Sequence, residues 1–270
     1  SELVDRVILK ELKTAKEQID TCPAERTDLK EEYQARYDII AKYAPKQMDA
    51  AEIKAYLEEK FAEVLATKII PNVSPDMAKE LNLEPGMKSL ALITANSDDV
   101  TYTALDEATK KADVKVVYAK SFYGGADNAN TKLAGEIIGI LAAPNPAEAK
   151  AGLEAAVDMI ENVCHFVSAN EDDTICYYAH CISRTGSYLS EGCGIKEGEA
   201  IAYLIAPPLE AMFGVDAALK AADVKCCVLY APPSETNFGG ALLTGSQSAC
   251  KAACDAFAYA VEAVADRPIE

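Results

Sequence analysis

The chain has 270 residues, half of them apolar and 26% charged, which is enough material for a packed core and for roughly two domains of ordinary size. Its formal charge of −17 repels phosphate backbones and anionic lipid, so nucleic-acid and membrane-surface roles are disfavoured. No apolar run approaches the roughly 18 residues of a membrane span, and the start, Ser1-Glu2-Leu3-Val4-Asp5-Arg6, lacks the pattern of a secretory signal.

Residues 1–66 carry 26 charged residues, about twice the density of the rest. Val4, Ile8, Leu12, Ala15 and Ile19 repeat at helical spacing until Pro23. Leu29, Tyr33, Tyr37, Ile40 and Tyr43 follow Thr27, a candidate N-cap, and end at Pro45. Asp49-Ala-Ala-Glu52 reads as a capping box for a third helix with Ile53, Leu57, Phe61 and Val64 on one face. Three short helices make a marginal core, so the segment is either a self-contained appendage or a docking segment.

From Lys68 strands and helices alternate. Ser89–Ala95 reads as a buried strand, Asp106–Ala112 as a helix, Val114–Ala119 and Ala134–Leu141 as strands, and Pro146–Ile160 as a helix with proline in its first turn. The pattern then recurs. Asp106–Lys115 matches Asp216–Lys225 at seven of ten positions, 110 residues apart. Ala91–Ala95 aligns with Ala202–Ala206, and Ala149–Ala155 with Cys250–Ala256. Three matches in order indicate a tandem duplication of an α/β (α+β) unit near 100 residues. The expected organisation is a helical extension over 1–66, a first domain over 67–163 and a second over 164–270.

The catalytic inventory is thin. Only His165 and His180 offer imidazoles, and none of the common phosphate-binding, metalloprotease or nucleophile-elbow patterns occurs. The nine cysteines are read as thiols of a reducing cytoplasm. Cys250 and Cys254, one helical turn apart, read as small core hydrophobes. Cys164, His165, Cys176, His180 and Cys181 lack the paired spacing of closed zinc sites, so no metal and no cofactor is assigned. In a strand over 175–182, Cys176 and His180 share one face and Cys181 takes the other.

The repeated D-x-A-x-K-x-A-D-V-K resembles the bacterial microcompartment (BMC) shell domain. Asn96–Lys110, Ser183–Ser190, Ala206–Ala211, Pro232–Asn237 and Leu243–Cys254 are similar to the tandem-domain shell proteins of ethanolamine-utilisation microcompartments. The resemblance runs from about Lys68 to the C-terminus and leaves residues 1–66 unassigned; with a shell fold beside them, cargo or a shell partner is what such a docking segment would bind. It implies two circularly permuted BMC domains, a flat pseudohexagonal homotrimer that tiles with other shell proteins, a gated central pore, and a small pore in each subunit for metabolites such as ethanolamine. It implies no catalysis.

By the same resemblance Lys110 and Lys220 lie at the tiling edge. The pore loops are Lys120–Thr131 and Ala231–Gly240, each with aromatics before a glycine pair: Phe122, Tyr123, Gly124 and Gly125 in one, Asn237, Phe238, Gly239 and Gly240 in the other. The small-pore ligand groups map to Asp98, Glu136 and the main chain near Phe166. In the internal alignment Asp98 faces Leu209 and Glu136 faces Ala241, so these acids belong to the first copy. A ligand-sensing trimeric regulator and an enzyme built on the Cys/His group stand as alternatives.

Overall fold

The computed structural model describes residues 14–15, 18–19, 26–41, 62–121, 137–170, 174–232, 234 and 238–269. Two compact units divide the chain, Ser1–Leu57 and Glu58–Glu270. In the first, helix α1 spans Thr27–Ala41 and begins at Thr27 itself. Leu29, Tyr33, Tyr37 and Ile40 are its half-buried face, as their spacing requires. Gln34 Nε2 donates to Asp38 one turn on, at 2.9 Å. The first helix expected from the sequence and most of the third lie largely outside the described residues. Val64, expected on that third helix, instead opens a strand.

The second unit holds both copies. The first copy runs β1 (Val64–Ile70), α2 (Pro75–Glu80), β2 (Ser89–Ala95), α3 (Asp98–Lys111), β3 (Lys115–Ser121), β4 (Ile137–Ala143) and α4 (Pro146–Asn162). The second runs β5 (Val167–Ser168), β6 (Cys176–Ile182), α5 (Ser187–Cys193), β7 (Ala200–Ala206), α6 (Pro208–Ala221), β8 (Val224–Tyr230), β9 (Gly239–Gly245) and α7 (Gln247–Asp266). The sheets are ordered β1-β2-β4-β3 and β5-β6-β7-β9-β8, antiparallel throughout.

The helix expected from Asp106 starts eight residues earlier, at Asp98. Asp98 and Asp99 in its first turn complement the positive end of the helix dipole, and Lys110 and Lys111 the negative end. Helices α3 and α6 start 110 residues apart, so Asp98 corresponds to Pro208 and Asp99 to Leu209, one position from the alignment read in the sequence. Neither acid has an acidic counterpart.

In each copy two helices cover one sheet face. Ala91, Ile93 and Leu141 pack on Ala104, Leu105, Ala156 and Ile160. Ala202, Leu204 and Leu243 pack on Val215, Cys250, Cys254 and Phe257, so the cysteine pair is core. The opposite face of the second sheet, Tyr178, Ile182, Ile201, Tyr203 and Ile205, is not solvent-facing. It belongs to the same cluster as the first copy's core.

That junction is fixed by a buried carboxylate. Asp106 accepts from the backbone N–H of Gly186 at 2.7 Å and of Leu189 at 2.9 Å. Thr109 Oγ1 accepts from Ser187 N–H at 3.1 Å. Gly186 is required by closeness: a β-carbon there would collide with Thr109 Oγ1 and lie 2.5 Å from the Asp106 carbonyl. Replacing Asp106 by alanine leaves two buried amides unpaired and is expected to cost about 2–4 kcal/mol, read from the urea midpoint.

The strand start at Val64 also sets where the second unit can be cut. β1 pairs with β2 from Val64 opposite Ala95 to Ile70 opposite Leu90, with one irregularity between Val64 and Ala66. A chain beginning at Glu58 is expected to keep a cooperative thermal transition. One beginning at Lys68 loses more than half of β1 and is expected to melt several degrees lower; equal melting temperatures would place β1 outside the core.

Candidate functional site

The first turn of α3 faces a cavity of about 820 Å³ at the junction of the two copies. Asp98 and Asp99 stand at its wall with Tyr102, Tyr188, Tyr203 and Tyr230, and Glu191 is at its rim. The helix start supplies both acids in its first turn. One turn on, Tyr102 takes the same face, because four residues complete a turn. The other tyrosines come from the second copy and arrive only through the junction.

Both carboxylates are nearly buried, each 8% exposed. Asp98 Oδ1 accepts the Asp99 backbone N–H at 2.9 Å, and the Ser121 hydroxyl bonds to the same carboxylate. Burial outweighs these bonds and raises the Asp98 pKa above the ordinary aspartate value. Tyr203 donates to Asp99 Oδ1 at 2.8 Å. Its own hydroxyl is held well above the usual tyrosine range, first by burial and then by the Asp99 charge. The Ser121 N–H donates to Tyr102 Oη at 3.1 Å, and the Tyr102 and Tyr188 rings lie 6.3 Å apart. Two acids ringed by phenols in a partly desolvated cavity suit an organic cation: carboxylates accept from ammonium, and aromatic faces favour positive charge.

Of the small-pore groups expected from the sequence, Asp98 lines this cavity. Glu136 lies outside the described residues. Phe166 stands one layer back, its ring 5.4 Å from Tyr178 and 6.2 Å from Phe238. Tyr178 in turn meets Tyr203 edge-on at 5.5 Å. Asp99 and the tyrosines were not singled out in the sequence. Asp99 and Tyr102 were readable beside Asp98 at helical spacing; Tyr188, Tyr203 and Tyr230 carry no local signal.

Phe122, Tyr123, Gly124, Gly125 and Asn237 lie outside the described residues. Phe238 is half-buried. Gly239 and Gly240, expected in a loop, are the first residues of β9, opposite Ala206 and Ile205. A β-carbon on Gly240 would run into the Leu204 carbonyl, so glycine there serves close strand packing.

Lys110 is drawn inward: it pairs with Glu107 at 2.5 Å and Asp106 at 3.6 Å and donates to the Arg184 carbonyl at 3.0 Å. Lys220 is exposed and pairs with Asp216 at 2.5 Å. The two lysines, equivalent in sequence, have different surroundings.

The Cys/His group is dispersed. Tyr178 and His180 stack on one face of β6, and His180 Nε2 lies 3.7 Å from Cys164 Sγ. Cys181 takes the other face. Burial pushes the Cys164 thiol up to about 11, the reverse of what a nucleophile needs. Among the described residues no group of three or more His, Cys, Asp or Glu side chains is arranged to hold a metal. Brief iodoacetamide treatment of the folded protein at pH 8 is expected to label exposed Cys226 and spare Cys164, read by peptide mass spectrometry. Equal labelling would restore Cys164 as a candidate nucleophile.

Two α+β units in series, joined through their sheets and helices as described, define a tandem-domain shell protein. The BMC domain family model matches residues 89–171. A shell protein EutL of Clostridium perfringens is 71% identical over 206 residues, covering 76% of this chain and 95% of that protein, and the Escherichia coli EutL is 54% identical over 207 residues, covering 77% and 94%. The crystal structure of the ethanolamine utilization protein EutL from Leptotrichia buccalis superposes with a TM-score of 0.76 at 70% identity, over 78% of this chain and 97% of that one. The chain belongs to the EutL family of bacterial microcompartment shell proteins, which are structural and not enzymes. The extension left unassigned by the sequence reading also has a match: a Yqey-like protein model covers residues 1–82, running into β1 and α2.

Proposed function

We propose that this chain assembles into a homotrimeric tile of an ethanolamine-utilisation microcompartment shell, alongside other shell proteins, and that its junction cavity admits a small organic ammonium such as ethanolamine. The observation that carries the ligand reading is the pair Asp98 and Asp99 inside a ring of tyrosines. An ammonium head meets the carboxylates and the hydroxyl end meets phenols. The cavity is wider than a two-carbon amine, so water accompanies it and the affinity is modest.

The alternation of the two similar domains around a ring supplies the tile. Lys110 and Lys220 are proposed to lie near its outer edge, with Lys110 held by the Arg184 carbonyl. The gate assigned to residues 122–125 and 237–238 is part of the same proposal and rests on family resemblance.

Calorimetry with ethanolamine on the full chain tests the ligand. Asp98→Asn keeps the shape and removes the charge, and is expected to weaken binding roughly ten- to a hundredfold, as for the loss of one charge-assisted bond of about 1.5–3 kcal/mol. Unchanged affinity in both Asp98→Asn and Asp99→Asn would refute the site.

The pH dependence has a definite sign. Because burial raises the folded Asp98 pKa, the folded state holds this proton more tightly than the unfolded one. The empty site therefore costs stability as pH rises through the interval between the two values. Bound ammonium offsets that cost, so ethanolamine is expected to raise the melting temperature at neutral pH. The shift is expected to vanish as pH falls into a range above that of an exposed aspartate. A ligand shift that persists below the ordinary aspartate range would show that Asp98 is not the counter-charge.

A further inference from the structure

The two short helices, α2 and α5, end alike. After α2 the Leu83 N–H donates to the Ala78 carbonyl across Asn82, at φ 52°. After α5 the Ile195 N–H donates to the Ser190 carbonyl across Gly194, at φ 64°. Each closure passes through one left-handed residue, so Leu81 and Cys193 occupy the same position in the two copies.

Strands β3 and β8, at the ends of their sheets, repeat a second position. Val116 and Tyr118 face Leu141 and Ile140, which leaves Val117 as an extra residue. Cys226 and Val228 face Leu243 and Leu242, which leaves Cys227 in the same place. The bulge puts consecutive Cys227 and Val228 into one cluster with Cys193 and Ile195 of the α5 side. Cys226 stands opposite Leu243, which belongs to the cluster under α6 and α7, so it takes the other face.

In the first copy Leu81 and Val117 share one apolar cluster with Leu90 and Ile140. In the second copy both are cysteine, and they meet: the Cys193 thiol donates to the Cys227 sulfur. The residues around them keep their apolar character, since Met77 and Leu83 correspond to Leu189 and Ile195. The change is therefore confined to the two positions that touch. Filling space does not require it, because the first copy fills the same positions with leucine and valine.

We infer that Cys193 and Cys227 form a dithiol–disulfide site whose oxidant is a small-molecule disulfide and whose oxidised form ties the end of α5 to β8. This goes beyond the ligand reading and does not depend on it. Cys227 is the attacking sulfur. Burial raises both thiols, but the Cys193 hydrogen bond pulls Cys227 back down. Burial and then the Cys227 charge push Cys193 up to about 12. The Cys227 thiolate attacks one sulfur of the small disulfide, whose S–S bond breaks, and the departing thiolate takes up a proton. Cys193 then gives up its proton and attacks the Cys227 sulfur, which releases the second small thiol. Two protein thiols are oxidised by two electrons and one small disulfide is reduced to two thiols. Tyr188 and Gly192 of α5 stand at the cavity wall with Tyr230 of β8, so the tie holds one side of the cavity.

The full chain is incubated with excess oxidised glutathione, blocked with N-ethylmaleimide in denaturant, digested and read by peptide mass spectrometry. The expected product joins the peptides of Cys193 and Cys227, and dithiothreitol reverses it. Cys193→Ser removes the second attack and is expected to stop at a glutathione adduct on Cys227. Cys227→Ser removes the first and is expected to leave Cys193 a thiol. Amide hydrogen exchange in α5 is expected to slow severalfold on oxidation; unchanged exchange would overturn the hold on the cavity wall. Glutathione on Cys226 while Cys193 and Cys227 both remain thiols would overturn the site, and so would a link between Cys226 and Cys227.

Discussion

The Asp106 carboxylate is the constraint on which the arrangement of the two copies depends. It is fully buried and lies among backbone donors of the other copy. Burial raises its pKa, while the Gly186 and Leu189 amides and Lys110 pull the other way. Charge-assisted bonds of this kind have strict geometry. They are satisfied only when the turn before α5 comes close enough to α3 that residue 186 has no side chain. Once this is met, the open face of the second sheet has one place to go, and Tyr178 and Tyr203 are delivered onto α3.

That delivery explains why the copies have diverged chemically while keeping one fold. The first turn of α3 lies under the second sheet, in a cavity whose tyrosines come partly from across the junction. Acids can persist there because Tyr203, Ser121 and the helix start partner them. The first turn of α6 has no such cover within the chain, and its positions hold Pro208 and Leu209. Fusion of the copies makes this possible. In a ring of identical single domains every junction is the same, and a substitution that builds a cavity builds it six times. In a fused pair one junction can specialise for a ligand while the other specialises for apolar packing.

Much of this was legible in the sequence because duplication repeats local patterns. Ser89–Ala95 was placed to the residue, since a short apolar run bounded by turn residues leaves little choice. The proline-led helix at 146 was placed at its start for the same kind of reason. The start of α3 was missed because Asp98-Asp-Val-Thr-Tyr-Thr is poor in helix formers, and its helicity depends on dipole and packing terms. Val64 was assigned to a helix by a spacing that also fits the beginning of a β-branched run. Asp98 was found through family resemblance; Asp99 and the tyrosines were not, because three of those rings arrive from 90 to 132 residues away in the chain. The two glycines at 239 and 240 looked like a hinge, yet strand proximity explains the second of them.

The fate of the cysteines follows from the same packing. Cys250 and Cys254 lie under the second sheet, where a small, slightly polarisable side chain fits between α7 and the alanines of β7. Cys164 lies between the last helix of the first copy and the first strand of the second, and is sealed by Tyr178 and His180. Sealing raises the thiol pKa and removes the nucleophile, so the group that most resembled a catalytic centre in the sequence is part of the seam between the copies. The acids at the start of α3 take the opposite path. They too sit on the seam, but at a place where the second sheet leaves a cavity instead of a lid, and a buried charge beside an open cavity is what a small cation can neutralise.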